Sequence, residues 1–303
     1  PTRRNVADVT RLGDALPKMD FIMSLGGAFD APYELQWLYE IETMLNNTEK
    51  PIVYSVSGVA GARLTLEMAA AVVGSDEIKK RPILAGLAQP ATPLVFHGTT
   101  ESVIEFANAG APMVFAPGVM PGASSPMTVA GCHVVGNAEC LFAITLSQLV
   151  KPGAPIIYGV HTSNIDMRTG SVLYGHPEYG LGWVVTVQLA NYYGVPTFGS
   201  GGCTDSKCPD AQAGAEAMGT AIMNALGGIN LVHNCGTMAH GTAGCMEMAV
   251  ISDEIASYVD RLLKGVQVND ETLAVDLIRS VGPGGHFLSQ EHTRNSLKRG
   301  EMW

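Results

Sequence analysis

Val195-Pro-Thr-Phe-Gly-Ser-Gly-Gly-Cys-Thr-Asp-Ser-Lys-Cys-Pro-Asp-Ala-Gln-Ala-Gly-Ala-Glu216 holds, in one short passage, a β-prone run, a Gly-rich turn, a polar cluster and the Ala-rich start of a helix. The run Val195 to Phe198 favours extended backbone, and the glycines that follow end it. Such a layout is a strand end delivering reactive groups into a loop. Taken alone, it reads equally well as a tight turn whose glycines serve geometry only.

The rest of the chain repeats the pattern. Short apolar runs introduced by Pro or a small residue recur as Phe21-Ile-Met-Ser24, Pro51-Ile-Val-Tyr-Ser55, Pro82-Ile-Leu-Ala85, Pro112-Met-Val-Phe115, Pro155-Ile-Ile-Tyr158, Pro196-Thr-Phe198 and Asn230-Leu-Val-His233. Their spacing, about 30 residues early and about 35 to 45 later, is that of a strand-helix unit plus loop growth. Helical stretches lie between them at Tyr33 to Leu45, Leu64 to Val73, Thr100 to Ala109, Asn137 to Val150, Leu181 to Tyr193, Ala211 to Leu226 and Ala249 to Leu263. Strict alternation with non-alternating apolar strands predicts an α/β fold: a parallel sheet with helices outside. A (β/α)8 TIM barrel over residues 1–303 is the most economical closure, with seven βα units visible and the eighth in sequence absent from this chain. An open doubly wound sheet is the alternative; against it, Gly26-Gly-Ala-Phe-Asp30 lacks G-x-G-x-x-G spacing. The helix-like stretch Ala249 to Arg279 and the tail after Gly282 read as a C-terminal helical cap or interface over 248–303.

Composition narrows the function. Apolar residues make up 47% of the chain and charged residues only 15%, ample material for a buried core. A net charge of −10 opposes contact with nucleic-acid backbones or anionic membranes. No apolar run is read as approaching the roughly 20 residues of a membrane span, and no signal-like N-terminus is present. The six cysteines, scattered without a compact framework, suit free thiols in the cytoplasm.

In a barrel the site forms where strands end. Polar residues after each run are Ser55 and Ser57; Gln89; His97; His161 to Asn164, Asp166 and Arg168; Asp205 to Lys207; and His233, Asn234 and Thr237. Zinc-type spacing is lacking: no H-E-x-x-H occurs, and Cys203 and Cys208 are poorly spaced, so no metal site is expected. Gly199-Ser-Gly201 is too short for a nucleophile elbow. Lys207 is a candidate Schiff-base lysine, although a solvated role is the simpler reading. Aromatic residues beside the strands (Tyr54, Phe96, Phe115, Tyr158, Phe198) are core by default, and at a mouth would face a cationic ligand.

Three passages carry a resemblance: Gly201-Gly-Cys-Thr-Asp-Ser-Lys-Cys-Pro-Asp-Ala-Gln-Ala-Gly-Ala-Glu216, Asp166-Met-Arg-Thr-Gly-Ser-Val-Leu-Tyr-Gly-His-Pro-Glu178 and Gly284-Gly-His-Phe-Leu-Ser-Gln-Glu-His-Thr293. Each resembles a signature of the trimethylamine methyltransferase (MttB-like) superfamily, and the similarity runs through almost the whole chain. The resemblance implies a TIM-barrel enzyme that moves a methyl group from a methylated amine to the Co(I) of a separate corrinoid protein. It implies no tightly bound cofactor, the cobalamin being presented by that partner. Family members are longer at both ends, so the resemblance, with an opening at Pro1 and an end at Trp303, implies a fragment lacking N- and C-terminal extensions. Archaeal members acting on trimethylamine carry pyrrolysine; none is written here, which favours a quaternary amine such as glycine betaine. The alternatives are a trimethylamine enzyme whose pyrrolysine is not visible in the sequence, and a betaine-binding barrel without transfer activity.

The expected roles follow from strand-end position within this reading. Asp205, His161 and Glu178 are the candidate catalytic residues. Tyr54, Phe115 and Tyr158, with Asp205 or Glu178, would enclose the ammonium. Arg168, His161 or the Gly201 and Gly202 amides would hold a carboxylate. Gln89, His97, Asp166, Tyr174 and Asn234 complete the candidate binding set. Self-association through Leu64 to Val73 and Ala211 to Leu226 is a further expectation, because small residues let helices approach closely.

Overall fold

The computed structural model describes residues 1–74, 78 and 80–301; Trp303, taken above as the point where an extension would continue, lies outside the described residues. The first of two units, residues 1–257, contains β1 (Ile52–Ser55), β2 (Leu84–Ala88), β3 (Met113–Phe115), β4 (Gly118–Val119), β5 (Ile156–Tyr158), β6 (His161–Thr162), β7 (Phe198–Ser200), β8 (Leu231–His233), β9 (Thr237–Met238) and β10 (Ala243–Gly244). Its helices are α1 (Arg3–Ala15), α2 (Gln36–Leu45), α3 (Gly58–Val73), α4 (Thr99–Ala109), α5 (Val129–Val150), α6 (Pro177–Tyr193), α7 (Ala211–Gly227) and the start of α8 (Met246–Leu263). The second unit, from Tyr258 onward, holds the end of α8, then α9 (Asp270–Leu273), α10 (Val275–Val281) and α11 (Glu291–Arg299). The stretch from Ala249 to Arg279 is therefore not one helix: it breaks after Leu263, where Gly265 adopts a positive φ of 61° and Asn269 opens a new helix as its N-cap.

Parallel pairing steps through the strands in chain order. β1, β2, β3 and β5 form one sheet, Ile22 joins its first edge by a parallel bridge to Ile52, and Tyr158 bridges in parallel to Thr197. β7 pairs in parallel with β8, and β4 with β6 just beyond the ends of β3 and β5. Each principal strand is followed by a helix, so the chain has a parallel α/β architecture. Among the described residues Phe21 to Ser24 makes that single bridge, through the Ile22 amide to the Pro51 carbonyl at 2.8 Å and the Val53 amide to the Ile22 carbonyl at 3.0 Å. The two outer edges flank a groove of ≈ 90 Å³ with Phe21, Ile22 and Met23 on one side and Val232, His233 and Asn234 on the other.

Both faces of the sheet are apolar, and the pleat sorts them. Ile22, Ile52, Tyr54, Leu84, Ala88, Met113, Phe115, Ile156 and Tyr158 pack together with helix residues such as Ala62, Val103, Phe106 and Cys140. The alternate residues Phe21, Met23, Val53, Ala85, Leu87, Val114, Ile157, Phe198 and Leu231 form the opposite cluster. One register shift would exchange the two sets. Gly86 falls in the helix-facing layer, where a Cβ would lie 2.7 Å from the Phe106 ring, so the residue there is glycine to admit the ring.

Helix entry is fixed by side chains. Thr128 and Asp210 accept hydrogen bonds from the Gly131 and Ala213 amides at the starts of α5 and α7. α5 corrects one expectation: its 22 residues are long and apolar enough, by length and composition, to cross a membrane. Its buried face, however, carries His133, Glu139 and Ser147, which bond within the fold, as expected of a core helix.

Candidate active site

The opposite cluster opens, beyond the carboxyl ends of the strands, into a cavity of ≈ 240 Å³. Leu87 and Gln89 from the end of β2, Ala116 after β3, His161 of β6, Phe198 of β7, and His233 and Asn234 at the end of β8 contribute to its lining. Ser163, Val172 and Tyr174 reach it from the loop before α6, and Tyr179 from the first turns of that helix. Among the described residues, no Asp, Glu, Lys or Arg side chain lines it. His161, Tyr174, Tyr179, Phe198 and His233 bring rings to the lining, polar atoms make up the larger part of its surface, and none of the lining side chains carries a fixed charge.

Those rings form a connected series. His161 stacks on Trp183 at 5.6 Å between centroids, Trp183 meets Tyr179 edge-on at 5.7 Å, and Tyr179 meets Tyr174 edge-on at 5.3 Å. Across the cavity His233 stacks on Phe198 at 4.3 Å. Trp183 follows Tyr179 by one helical turn, so α6 presents both to the same side. Edge-on and offset contacts are the arrangements the ring quadrupole favours.

The two imidazoles are neutral. Burial pushes both His161 and His233 down to about 4, opposed by bonds to the Gly159 and Gly199 carbonyls. His233 Nδ1 lies 2.6 Å from the Gly199 carbonyl oxygen and His161 Nδ1 3.4 Å from that of Gly159. In a neutral ring Nδ1–H donates to each carbonyl, which leaves Nε2 an acceptor. Burial also holds the Tyr174 phenol up at about 12, so it too is uncharged near neutrality. Asn234 adopts φ 72°, a region this side chain tolerates, and its amide donates to Ser200 Oγ at 2.8 Å.

Of the expected site residues, Gln89, His161, Tyr174 and Asn234 come together in this cavity. Tyr54, Phe115 and Tyr158 do not. They occupy the alternate pleat position and face the helices, where the Tyr54 hydroxyl donates to the Trp37 carbonyl at 2.9 Å and that of Tyr158 to Asn137 Oδ1 at 2.9 Å. Phe198 is the strand aromatic that faces the cavity. Asp166 and Arg168 pair with each other at 3.2 Å, and the Arg168 side chain is 88% exposed. Glu178 lies 4.0 Å from His176 on an exposed helix start, and His97 is exposed outside the lining.

The Gly201 and Gly202 amides are spent inside the fold, on the His233 carbonyl at 3.0 Å and Thr220 Oγ1 at 3.1 Å. Neither is free for a carboxylate. Asp205 does not line the cavity: its Oδ1 accepts from the Tyr174 amide at 2.8 Å and its Oδ2 from the Gly175 amide at 2.9 Å. Tyr179 and Trp183 were not among the expected site residues, because aromatic residues within a helix read as core. Ser163 and His233 were in the strand-end polar set without a role. Among the described residues, no group of three or more His, Cys, Asp or Glu side chains is placed to hold a metal ion.

Parallel strands, a helix after each, and a cavity at their carboxyl ends define the class: an α/β protein with a strand-end cavity. The chain belongs to the trimethylamine methyltransferase (MTTB) family, whose model matches residues 1–300. It is similar to a trimethylamine methyltransferase MttB of Desulfitobacterium hafniense (strain DSM 10664 / DCB-2), at 38% identity over 96% of this chain and 59% of the relative. It is also 38% identical to a glycine betaine methyltransferase of Desulfitobacterium hafniense (strain Y51), over 89% of this chain and 57% of that protein. A trimethylamine methyltransferase MttB of Methanosarcina barkeri (strain Fusaro / DSM 804) is 35% identical over 96% and 60%. The chain thus spans little more than half the length of these curated relatives.

Proposed function

We propose that this chain forms the methyl-donor half of a methyltransferase that moves a methyl group from a methylated amine to the Co(I) of a partner corrinoid protein. The observation that carries this reading is the cavity at the strand ends, with five rings and no Asp, Glu, Lys or Arg in its lining, in a chain of this family. Ring faces attract an ammonium, and the neutral oxygen and nitrogen acceptors beside them add to that attraction. Methyl transfer from an ammonium needs no general acid at nitrogen, since a neutral amine leaves. The chain's residues then have to orient one methyl and exclude water. The cobalamin is a co-substrate carried by the partner, and nothing here is assigned to holding it.

A quaternary amine remains the leading substrate class, with one adjustment to the expected binding mode. Arg168, cast above as a carboxylate partner, is exposed and bound to Asp166, so a betaine carboxylate has no cation awaiting it in the cavity lining. A second reading, a tertiary ammonium, is favoured by the His161 and His233 Nε2 acceptors, which an N–H could use. A panel of trimethylamine, tetramethylammonium, choline and glycine betaine, each assayed for methyl transfer to a reduced corrinoid partner, separates these readings. Failure with every member would sink the activity; binding without transfer would favour a non-catalytic binding role.

The same reading takes residues 1–303 as one methyltransferase domain in a (β/α)8 barrel, closed by an eighth strand between Ile22 and β8. A longer form carrying that strand should protect the amides facing the groove from exchange, and a lack of added protection would count against the barrel. A cytoplasmic setting accords with the six unpaired cysteines.

A further inference from the structure

The loop between β6 and α6 is a small hairpin with its own internal bonds. Ile165 and Val172 form an antiparallel bridge, the Leu173 amide donates to the Asn164 carbonyl at 2.8 Å, and the Asp166 amide to that of Ser171 at 2.9 Å. These bonds set the hairpin's shape but not its place. Its place is set where it returns to α6, by Asp205 from the next βα loop. That carboxylate takes two successive amides, Tyr174 at 2.8 Å and Gly175 at 2.9 Å, one on each oxygen, with its side chain only 9% exposed.

Asp205 is itself held. Its own amide donates to Glu216 Oε2 at 2.8 Å, and the Thr204 hydroxyl donates to the same oxygen at 2.7 Å. Glu216 in turn lies against the hairpin: a Cβ at Gly175 would collide with its carboxylate. A third loop adds His240, whose Nδ1 faces both the Val172 carbonyl at 2.9 Å and Asp205 Oδ1 at 3.2 Å. Ala239 and His240 adopt φ values of 50° and 60°, a left-handed backbone disfavoured for these side chains and retained where it presents His240 to the other two loops. The Tyr174 hydroxyl comes close to Gly241, where a Cβ would lie 2.8 Å from it. Three loops therefore converge on one peptide, and the side chain of that peptide is a ring in the cavity wall.

We propose that Asp205 is a positioning residue: it grips the Tyr174–Gly175 amides so that the Tyr174 ring stands in the cavity wall, and Glu216 fixes Asp205 for that task. The inference rests on the methyl-donor reading only in taking the ring to face the ammonium. Hydrogen bonds to a buried carboxylate are among the stronger ones, and replacing one oxygen by NH2 sets a donor against an amide donor.

Asp205→Asn tests it with two readouts in the full chain. Hydrogen exchange at the Tyr174 and Gly175 amides should quicken by about 10- to 100-fold, against unchanged exchange in the β1–β2–β3 core. For the preferred amine of the panel, KM should rise about tenfold or more while kcat stays within about threefold, because ground-state binding is lost and the reacting groups are intact. Glu216→Gln should move both readouts the same way by less, and it carries the test if Asp205→Asn does not fold. Unchanged exchange at 174 and 175, or a fall in kcat with KM unmoved, would overturn the assignment. If the wild-type chain turns over no methylated amine, tetramethylammonium affinity replaces KM; the exchange arm still decides the positioning role while the methyl-donor reading fails on its own.

Discussion

His161 and His233 make the chemistry of the cavity depend on pH in a definite direction. Their folded pKa values, about 4, lie below the 6.5 of a free imidazole, so between those limits the unfolded chain binds protons that the native state does not. Stability from this source is full above about pH 6.5 and is lost as pH falls toward 4, on the order of 3 kcal/mol per residue. A urea midpoint measured from pH 7.5 to 4.5 should fall accordingly, and His233→Gln should flatten the slope. Ammonium affinity should decline at the lower end, where a charged ring repels the ligand. At this scale the sequence was only partly legible: His161 and Asn234 stand at strand ends and were read as candidates, and both line the cavity, whereas Tyr179 and Trp183 sit inside a helix whose aromatics look like any core.

Elements explain the error over Tyr54, Phe115 and Tyr158. Runs such as Ile52-Val-Tyr and Ile156-Ile-Tyr are apolar at every position because both faces of a parallel sheet are covered, so nothing in the run marks which parity faces the site. The structure settles it in register, with Ala88, Phe115 and Tyr158 in one row. Tyr158→Phe, losing the bond to Asn137, should cost about 1 kcal/mol in thermal unfolding and leave amine affinity unchanged. Phe198→Leu should weaken tetramethylammonium binding by about 3- to 30-fold in calorimetry, the range expected for one partly desolvated cation–ring contact. If the two results were exchanged, the assignment of faces would be wrong. Periodicity marked the helices α2 to α8 but not α1, whose Arg3–Ala15 run is largely polar, and the starts of α3, α5 and α6 lie further upstream than read, at Gly58, Val129 and Pro177, where small or ring residues blur the pattern.

For the molecule as a whole, the repeat of apolar runs made the parallel α/β order legible, because each unit must bury its strand against its helix. Closure was not legible, since it depends on an edge pairing that no local pattern encodes. The series from His161 through Trp183 and Tyr179 to Tyr174 has one more consequence. Trp183 is 1% exposed and sits one ring behind the cavity surface, so its emission should respond to what fills that space while remaining shielded from the bulk. The protein carries its own optical reporter of occupancy, and a background with both Trp37 and Trp303 replaced by Phe would let a bound ammonium be titrated by light without any label.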